Sequence, residues 1–428
     1  MKIYGANSIN GELNIPGDKS ISHRSIIISS IIDGNVVIEN FLFCDDCIRT
    51  LDILRILGVK IEKLEKSLIV YGRGIDKFRE PDTILETGNS GTTIRIMSGL
   101  LSSTNFMSVL NGDSSINSRP MGRIIEPLSE MGARIYGRDS NNKAPIVIFG
   151  NPGLEGRSIK LNVSSAQVKS SILMAAINAK GPTEIYSPSI SRDHTERMLQ
   201  YFGADIKYDG IYTLLVPGNK LDAKRIYVPG DISSAAYFIV ATLILKDSHT
   251  IIKDVGMNPT RSYIIDVLKK MGGKIIVKNS RVVNNEPIAD IETYSSRLKS
   301  IKIDEEKIPV IIDDIPILCV AAAFAEGDTI IKGAGELRYK ESDRIKSIVS
   351  QFSKLNIDID EKTDGMVIRG NDKLIAGNGT VDSLGDHRIA MALSILALRS
   401  EENVTILNSS CINTSFPGFI YNLKEALS

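Results

Sequence analysis

Cysteine, net charge and long apolar runs are all scarce in this chain, and each scarcity removes a class of protein. Only four cysteines, Cys44, Cys47, Cys319 and Cys411, occur in 428 residues. They make no disulfide framework, which fits a reducing compartment, and the protein is expected to be cytoplasmic. Cys44 and Cys47 form a CxxC, but the other two stand alone, so a tetrahedral zinc site lacks its second ligand pair. Ordinary buried thiols and no metal are expected. Lys+Arg and Asp+Glu are equal at 51 each, so no global basic field exists to hold nucleic acid or an anionic membrane. Any anionic ligand must be gripped locally. The longest apolar run, residues 235–245, falls far short of the ~20 residues of a membrane helix, and the N-terminus has no apolar signal-type segment. The chain is expected to be neither exported nor embedded. What it does have is ordinary: 43% hydrophobic and 24% charged residues, with length for two or more domains, each with its own core.

An internal repeat appears once helix ends are marked. Leu57-Gly58-Val59-Lys60-Ile61, Met131-Gly132-Ala133-Arg134-Ile135, Phe202-Gly203-Ala204-Asp205-Ile206 and Met271-Gly272-Gly273-Lys274-Ile275 share one pattern, with Leu355-Asn356-Ile357-Asp358-Ile359 as a degenerate fifth. Gly or Asn supplies the left-handed residue that ends a helix, and the alternation after it starts a strand. The spacing of roughly 70 residues, one unit of strands and two helices, predicts about six copies, with a helix over residues 419–427 completing the last. A second repeat is sharper: Pro16-Gly17-Asp18-Lys19-Ser20 returns as Pro229-Gly230-Asp231-Ile232-Ser233. Two similar α/β halves follow, with residues 1–17 and 229–428 in one and 18–228 in the other. The Gly-rich crossings invite hinge motion.

The chemistry-bearing residues cluster at element starts. After Pro16-Gly17, Asp18 or Ser20 can cap a helix that Ile26, Ile27, Ile28, Ile31 and Ile32 bury. Lys19 and Arg24 sit where cations oppose the macrodipole, at about 0.3–1 kcal/mol each, so a compensating anion is expected nearby. Thr87-Gly88-Asn89-Ser90-Gly91-Thr92-Thr93-Ile94-Arg95 is a loop of small residues opening a helix, where amides can cradle an anion. It lacks both the Walker lysine and the dinucleotide glycine spacing. Asn162-Val163-Ser164-Ser165-Ala166-Gln167-Val168-Lys169 is a polar start whose hydroxyls either bind phosphate or simply cap. Ser191-Arg192-Asp193-His194-Thr195 starts another helix. Tyr339-Lys340-Glu341-Ser342-Asp343-Arg344 places Lys340 and Arg344 one turn apart, where like charges cost about 0.2–0.5 kcal/mol in an isolated helix. Asp386-His387-Arg388 begins a further apolar helix, and Arg119 precedes Pro120. So many opposed cations call for a shared anionic ligand. Ile311-Ile312-Asp313-Asp314-Ile315-Pro316 sets two carboxylates at a strand-to-helix junction, one able to cap and one to act as a general base. No Ser/His/Asp set and no clustered metal spacing competes.

Taken together and in order, PGDKSISHR, GNSGTTIR, Arg119-Pro120-Met121-Gly122, SSAQVKS, the Asp313 junction, KESDR and DHR closely resemble the 5-enolpyruvylshikimate-3-phosphate synthase family of enolpyruvyl transferases, over essentially the whole chain. The resemblance implies an α/β (α+β) fold of two similar domains, each of three βαβαββ units in an inside-out α/β barrel, joined by a double-stranded hinge. It implies transfer of the enolpyruvyl group of phosphoenolpyruvate to the 5-hydroxyl of shikimate 3-phosphate, in the shikimate pathway to chorismate, without metal or cofactor. By resemblance Lys19 touches both ligands, Ser20 and Arg24 hold the shikimate carboxylate, and Ser165, Ala166, Gln167 and Arg192 line that site. Asn89, Gly91, Arg119, Gln167, Arg344 and Arg388 grip phosphoenolpyruvate. Asp313 takes the hydroxyl proton, and Lys340 and Glu341 assist hydroxyl positioning and proton transfer at C3. Residues 18–228 would then carry the shikimate 3-phosphate site, and the other half Asp313, Arg344 and Arg388. Where many relatives have Ser, Asn and Lys, this chain has Ala166, Glu336 and Thr414, which leaves the phosphoenolpyruvate site one cation short. The protein is expected to act as a monomer.

Two other readings compete. The transferase acting on UDP-N-acetylglucosamine should show Lys-Asn in place of Lys19-Ser20, and a reactive Cys before Gly-Arg-Pro, where this chain has Asn117-Ser118-Arg119-Pro120. A non-catalytic two-domain anion binder would gain nothing from carboxylates such as Asp313 and Glu341 beside its cations.

Overall fold

The computed structural model describes residues 1–65 and 67–427. Its repeat is set by helix ends. Gly58, Gly132, Gly203 and Gly272 have φ between +89° and +100°, and Asn356 has +61°, a region that residues other than Gly and Asn seldom occupy. At the first of these, Gly58 N–H donates to the Arg55 carbonyl at 2.9 Å and Val59 N–H to the Leu54 carbonyl at 3.0 Å. Those bonds close the helix Asp45–Ile56 and release the chain into the strand Lys60–Lys63.

Each repeat builds one small sheet. Leu85–Glu86 pairs in parallel with Met107–Asn111, which runs antiparallel to Lys143–Phe149, itself antiparallel to Arg134–Gly137. The helix Gly91–Ser102 makes the crossover that a parallel pair requires. Among the described residues there are six sheets, five of four strands and one of three. In the three-stranded sheet Gly379–Asp382 and Val404–Leu407 pair in parallel, and the N-terminal strand Lys2–Ile3 takes the place of a following hairpin. After it the chain ends in the helix Phe419–Leu427. The fold is mixed α/β, as expected, but no sheet closes on itself, so the barrel is not a closed strand array.

The chain divides into two compact units. One holds Met1–Pro16, Pro229–Arg281 and the chain from Pro287 onward; the other holds Gly17–Val228 and Val282–Glu286. The last segment is the tip of a hairpin between Lys274–Val283 and Glu286–Tyr294. It joins the second unit because Glu286 Oε1 lies 2.7 Å from His194 Nδ1 and Arg197 Nη1 donates to the Asn285 carbonyl. No composition signal marks such a five-residue excursion. At Gly17 a Cβ would stand 2.1 Å from the Asn40 carbonyl oxygen, so only glycine lets the chain pass there.

Apolar helices fill each core. Ile232–Ile244 and Ile315–Ala323 are buried on every side in the first unit, as expected of helices without a polar face. In the second, Gly91–Ser102 approaches Ala166–Ala176 so closely that a Cβ on Gly99 would meet the Ser171 carbonyl oxygen at 1.9 Å. Trimming a sealed residue such as Leu100 to Ala would cost about 2–5 kcal/mol. All four cysteines are free thiols, and burial raises the pKa of Cys47 and Cys319.

Several local expectations change. Lys340 and Arg344 do not share a helix: Lys340 is extended backbone after the short 3₁₀ turn Gly335–Tyr339, and Arg344 opens the helix Arg344–Ser353, capped by Asp343. Asp314 occupies the cap position of the helix Ile315–Ala323 without a side-chain cap bond. Asp18, rather than Ser20, caps the first helix, its Oδ1 accepting from Ile21 N–H at 2.8 Å.

Candidate active site

In the unit containing residues 17–228, four helix starts carry candidate groups. Lys19 opens the helix Lys19–Ser30, with its Nζ 3.0 Å from Asp46 Oδ2. One turn on, Arg24 is 3% exposed. Its Nη1 donates to the Ser20 carbonyl at 2.9 Å, Nε to Thr195 Oγ1 at 2.7 Å and Nη2 to Ser170 Oγ at 2.8 Å. Three bonds fix both the plane and the reach of a fork suited to a carboxylate.

The loop before the helix Gly91–Ser102 is braced from two sides. Asn89 Nδ2 donates to Asp113 Oδ2 at 2.7 Å, and Asn89 Oδ1 accepts from Arg119 Nη2 at 3.1 Å. A Cβ on Gly91 would lie 3.1 Å from Arg119 Nη1 and 3.9 Å from the Gln167 amide, so these three residues surround one point. Gln167 donates to Thr92 Oγ1 at 3.0 Å and accepts from Arg95 Nη1 at 2.5 Å. Ser165 caps the helix Ala166–Ala176, accepting from Val168 N–H at 3.4 Å. Arg192, half-buried, precedes the helix His194–Tyr201.

In the other unit the groups gather around Asp313. Its Oδ1 is 3.3 Å from Lys340 Nζ and 3.2 Å from Arg344 Nη1, and its Oδ2 is 3.7 Å from Arg388 Nη2. Arg388 Nη1 also donates to the Asp313 carbonyl at 2.8 Å. Arg344 bonds Glu341 Oε2 at 2.6 Å and Asp386 Oδ2 at 2.8 Å. Burial works against the charge of Arg344, but Asp386, Glu341 and Asp313 outweigh it and raise its pKa. Asp314 is buried, which pushes its carboxyl up despite Arg388 and Arg261. Asp386 Oδ1 accepts from Arg388 N–H at 2.9 Å, capping the helix His387–Ala397. The arrangement keeps a carboxylate among three cations, at a place where a proton acceptor and an anion can be held side by side. Among the described residues, no group of three or more His, Cys, Asp or Glu is set to hold a metal ion, and no helix is long and apolar enough to cross a membrane.

The structure thus brings together Asn89, Gly91, Arg119 and Gln167; Lys19, Ser20 and Arg24; and Asp313, Lys340, Glu341, Arg344 and Arg388. Sequence reasoning missed their supports: Asp46, Ser170, Thr195, Asp113 and Arg95. Arg95 and Ser170 end the GNSGTTIR and SSAQVKS stretches, and Thr195 lies three residues beyond Arg192, so proximity to motifs was the available signal. Asp46 and Asp113 had none. Thr414, where a cation was noted as missing, is a neutral neighbour of His387, 3.2 Å from its Nδ1.

Two mixed α/β units with guanidinium and ammonium groups set at helix starts, and carboxylates among them, define a protein that handles small polyanions. An enolpyruvyl transferase, NikO from Streptomyces tendae, shares the fold at 16% identity and TM-score 0.78, with 99% of this chain and 96% of that one covered. An EPSP synthase from Acinetobacter baumannii matches at 41% identity and TM-score 0.89, covering 99% and 97%. The 3-phosphoshikimate 1-carboxyvinyltransferase of Petrotoga mobilis is 50% identical over 422 residues, covering 98% of this chain and 97% of that protein. That of Syntrophomonas wolfei is 48% identical over 411 residues, 96% of each. The EPSP synthase (3-phosphoshikimate 1-carboxyvinyltransferase) profile matches residues 3–423, and the chain belongs to that family.

Proposed function

We propose that this chain transfers the enolpyruvyl group of phosphoenolpyruvate to the 5-hydroxyl of shikimate 3-phosphate, releasing phosphate. The 5-oxygen attacks C2 while C3 gains a proton, and the tetrahedral intermediate then loses a proton from C3 as the C2–O bond to phosphate breaks, restoring the C2–C3 double bond. Asp313 accepts the hydroxyl proton; Lys340 and Glu341 position the hydroxyl and move the proton at C3. Arg344 and Arg388, with Asn89, Gly91, Arg119 and Gln167, hold phosphoenolpyruvate. Ser20, Arg24, Ser165, Ala166, Gln167 and Arg192 hold shikimate 3-phosphate, and Lys19 reaches both. Neutralising two ligands that repel each other in water, and orienting them, supplies the catalysis. The protein acts as a cytoplasmic monomer on these small molecules.

One observation carries this reading: Asp313 lies within 3.2–3.7 Å of Lys340, Arg344 and Arg388. A simple anion binder gains nothing from a carboxylate among its cations. Phosphate release from phosphoenolpyruvate is expected with shikimate 3-phosphate and not with UDP-N-acetylglucosamine, and it should persist in EDTA. Turnover with the nucleotide sugar alone would overturn the acceptor assignment. Activity lost in EDTA and restored by a divalent ion would overturn the metal-free mechanism.

A further inference from the structure

We propose that His23 is a positioning residue for phosphoenolpyruvate, acting through a buried chain of hydroxyls that ends at Ser90, the cap of the helix Gly91–Ser102. The inference rests on the placement of phosphoenolpyruvate against Asn89 and Gly91. His23 Nδ1 lies 2.8 Å from Thr50 Oγ1, Thr50 Oγ1 lies 2.6 Å from Thr93 Oγ1, and Thr93 Oγ1 donates to Ser90 Oγ at 2.7 Å. All four side chains are sealed from solvent.

The direction of the chain follows from counting protons. A hydroxyl has one to give. Thr93 gives its proton to Ser90, so Thr50 must give its own to Thr93, and Thr50 can then only accept from His23. The ring is therefore the Nδ1–H tautomer, with its buried Nε2 a bare lone pair that finds no partner. Such an orphan costs about 1–3 kcal/mol, which a purely stabilising core would avoid with an apolar residue. Burial, with Lys19 and Arg24 nearby, holds the ring neutral against the opposing pull of Asp18.

The chain also links the right elements. His23 lies on the helix that carries Lys19, Ser20 and Arg24. Thr50 lies one turn beyond Asp46, the partner of Lys19, on the helix Asp45–Ile56. Ser90 stands between Asn89 and Gly91 and accepts from Thr93 N–H at 3.1 Å. Losing the His23 donor lets Thr50 and Thr93 turn their protons away from Ser90, and the cap that aims the Gly91 amide loosens.

The test is steady-state kinetics on His23→Leu, His23→Asn, Thr50→Val and Thr50→Ser, with melting temperatures. His23→Leu and Thr50→Val should each raise KM for phosphoenolpyruvate about tenfold, the worth of one buried hydrogen bond, and leave KM for shikimate 3-phosphate within about twofold. His23→Asn, whose amide can donate from the same place, and Thr50→Ser should stay within about threefold of the parent. The 15N shifts of the His23 ring should report Nδ1–H. Equal rises in both KM values, an Asn variant as impaired as Leu, or an Nε2–H ring would overturn the proposal. Should His23→Leu fail to fold, the Thr50 pair reads the same effect. Arg119→Met is the control. If it leaves KM for phosphoenolpyruvate unchanged, the placement of that ligand falls and the inference with it. If it raises KM while His23→Leu and Thr50→Val do not, the inference alone falls.

Discussion

Arg344 and Arg24 are both nearly sealed, at 1% and 3% exposure, yet they are held in opposite ways. Arg344 is wedged among the carboxylates of Asp386, Glu341 and Asp313. Arg24 meets the Thr195 and Ser170 hydroxyls and the Ser20 carbonyl. Around Asp313 the balance is one of charge, with Lys340, Arg344 and Arg388 each within 3.7 Å of its carboxylate. Around Arg24, two hydroxyls and a backbone carbonyl fix the plane of the guanidinium. A buried charge that loses its partner is far costlier than a hydroxyl that loses a donor, so the two regions should fail differently.

The largest effect is expected at Arg344. Arg344→Met leaves Asp386, which is wholly buried, without its main counter-charge and should destabilise the fold by about 3–5 kcal/mol. Arg24→Met leaves Thr195 and Ser170, whose oxygens are already 2.7 Å apart, free to bond each other, at about 1–2 kcal/mol. Melting temperatures of the two variants decide the matter. An equal drop would mean that Arg24 too belongs to a charge balance, and the contrast would collapse.

Within the charged cluster, Asp313 and Asp314 sharpen the distinction between charge used for chemistry and charge used for structure. Asp313 keeps 14% side-chain exposure while Asp314 keeps 2%. Asp313→Asn removes the basic oxygen but not the shape, so the rate should fall by roughly 10²–10⁴, with little change in shikimate 3-phosphate affinity. Asp314→Asn should change the melting temperature more than the rate. If turnover instead dies with Asp314→Asn and survives Asp313→Asn, the wrong carboxylate has been assigned the proton.

How far the sequence carried depended on whether a feature was local. The helix ends at Gly58, Gly132, Gly203, Gly272 and Asn356 were legible because a left-handed residue leaves a mark in the residue type itself. Lys19 and Arg388 were legible because they break the helix-dipole rule in a first turn, whereas Arg24, grouped with them, lies in the second turn of the helix Lys19–Ser30. What pins them was not. Thr195 and Ser170 meet Arg24 across 171 and 146 residues, and a serine or threonine looks the same in sequence whether it caps, solvates or anchors a guanidinium. The Val282–Glu286 tip was hidden for the same reason, since its place is decided by His194 and Arg197 far upstream. Lys340 and Arg344 were misread as helical neighbours because a four-residue spacing means one helical turn only if a helix runs through it.

The smallest expected effect, and the one that sets the two units against each other most directly, is in pH. Burial raises the pKa of Asp314 above 3.8 in the folded state, whereas burial with Lys19 and Arg24 lowers that of His23 below 6.5. A raised carboxyl contributes stability below its unfolded pKa, lost as pH rises through the folded value. A lowered imidazole does the reverse: its contribution is present above about 6.5 and disappears on acidification, because the unfolded chain takes up a proton that the folded one refuses. Between pH 7.5 and 5, the parent protein should therefore lose stability relative to His23→Asn, by at most about 1.4 kcal/mol per pH unit. Relative to Asp314→Asn it should gain stability as the pH falls through the raised folded value toward 3.8. Melting temperatures of the three proteins, measured from neutral pH down to about 4, give both slopes at once. Parallel curves for the parent and His23→Asn would mean that His23 takes its proton in the folded state after all, and the neutral Nδ1–H donor that orders Thr50 and Thr93 would have to be given up.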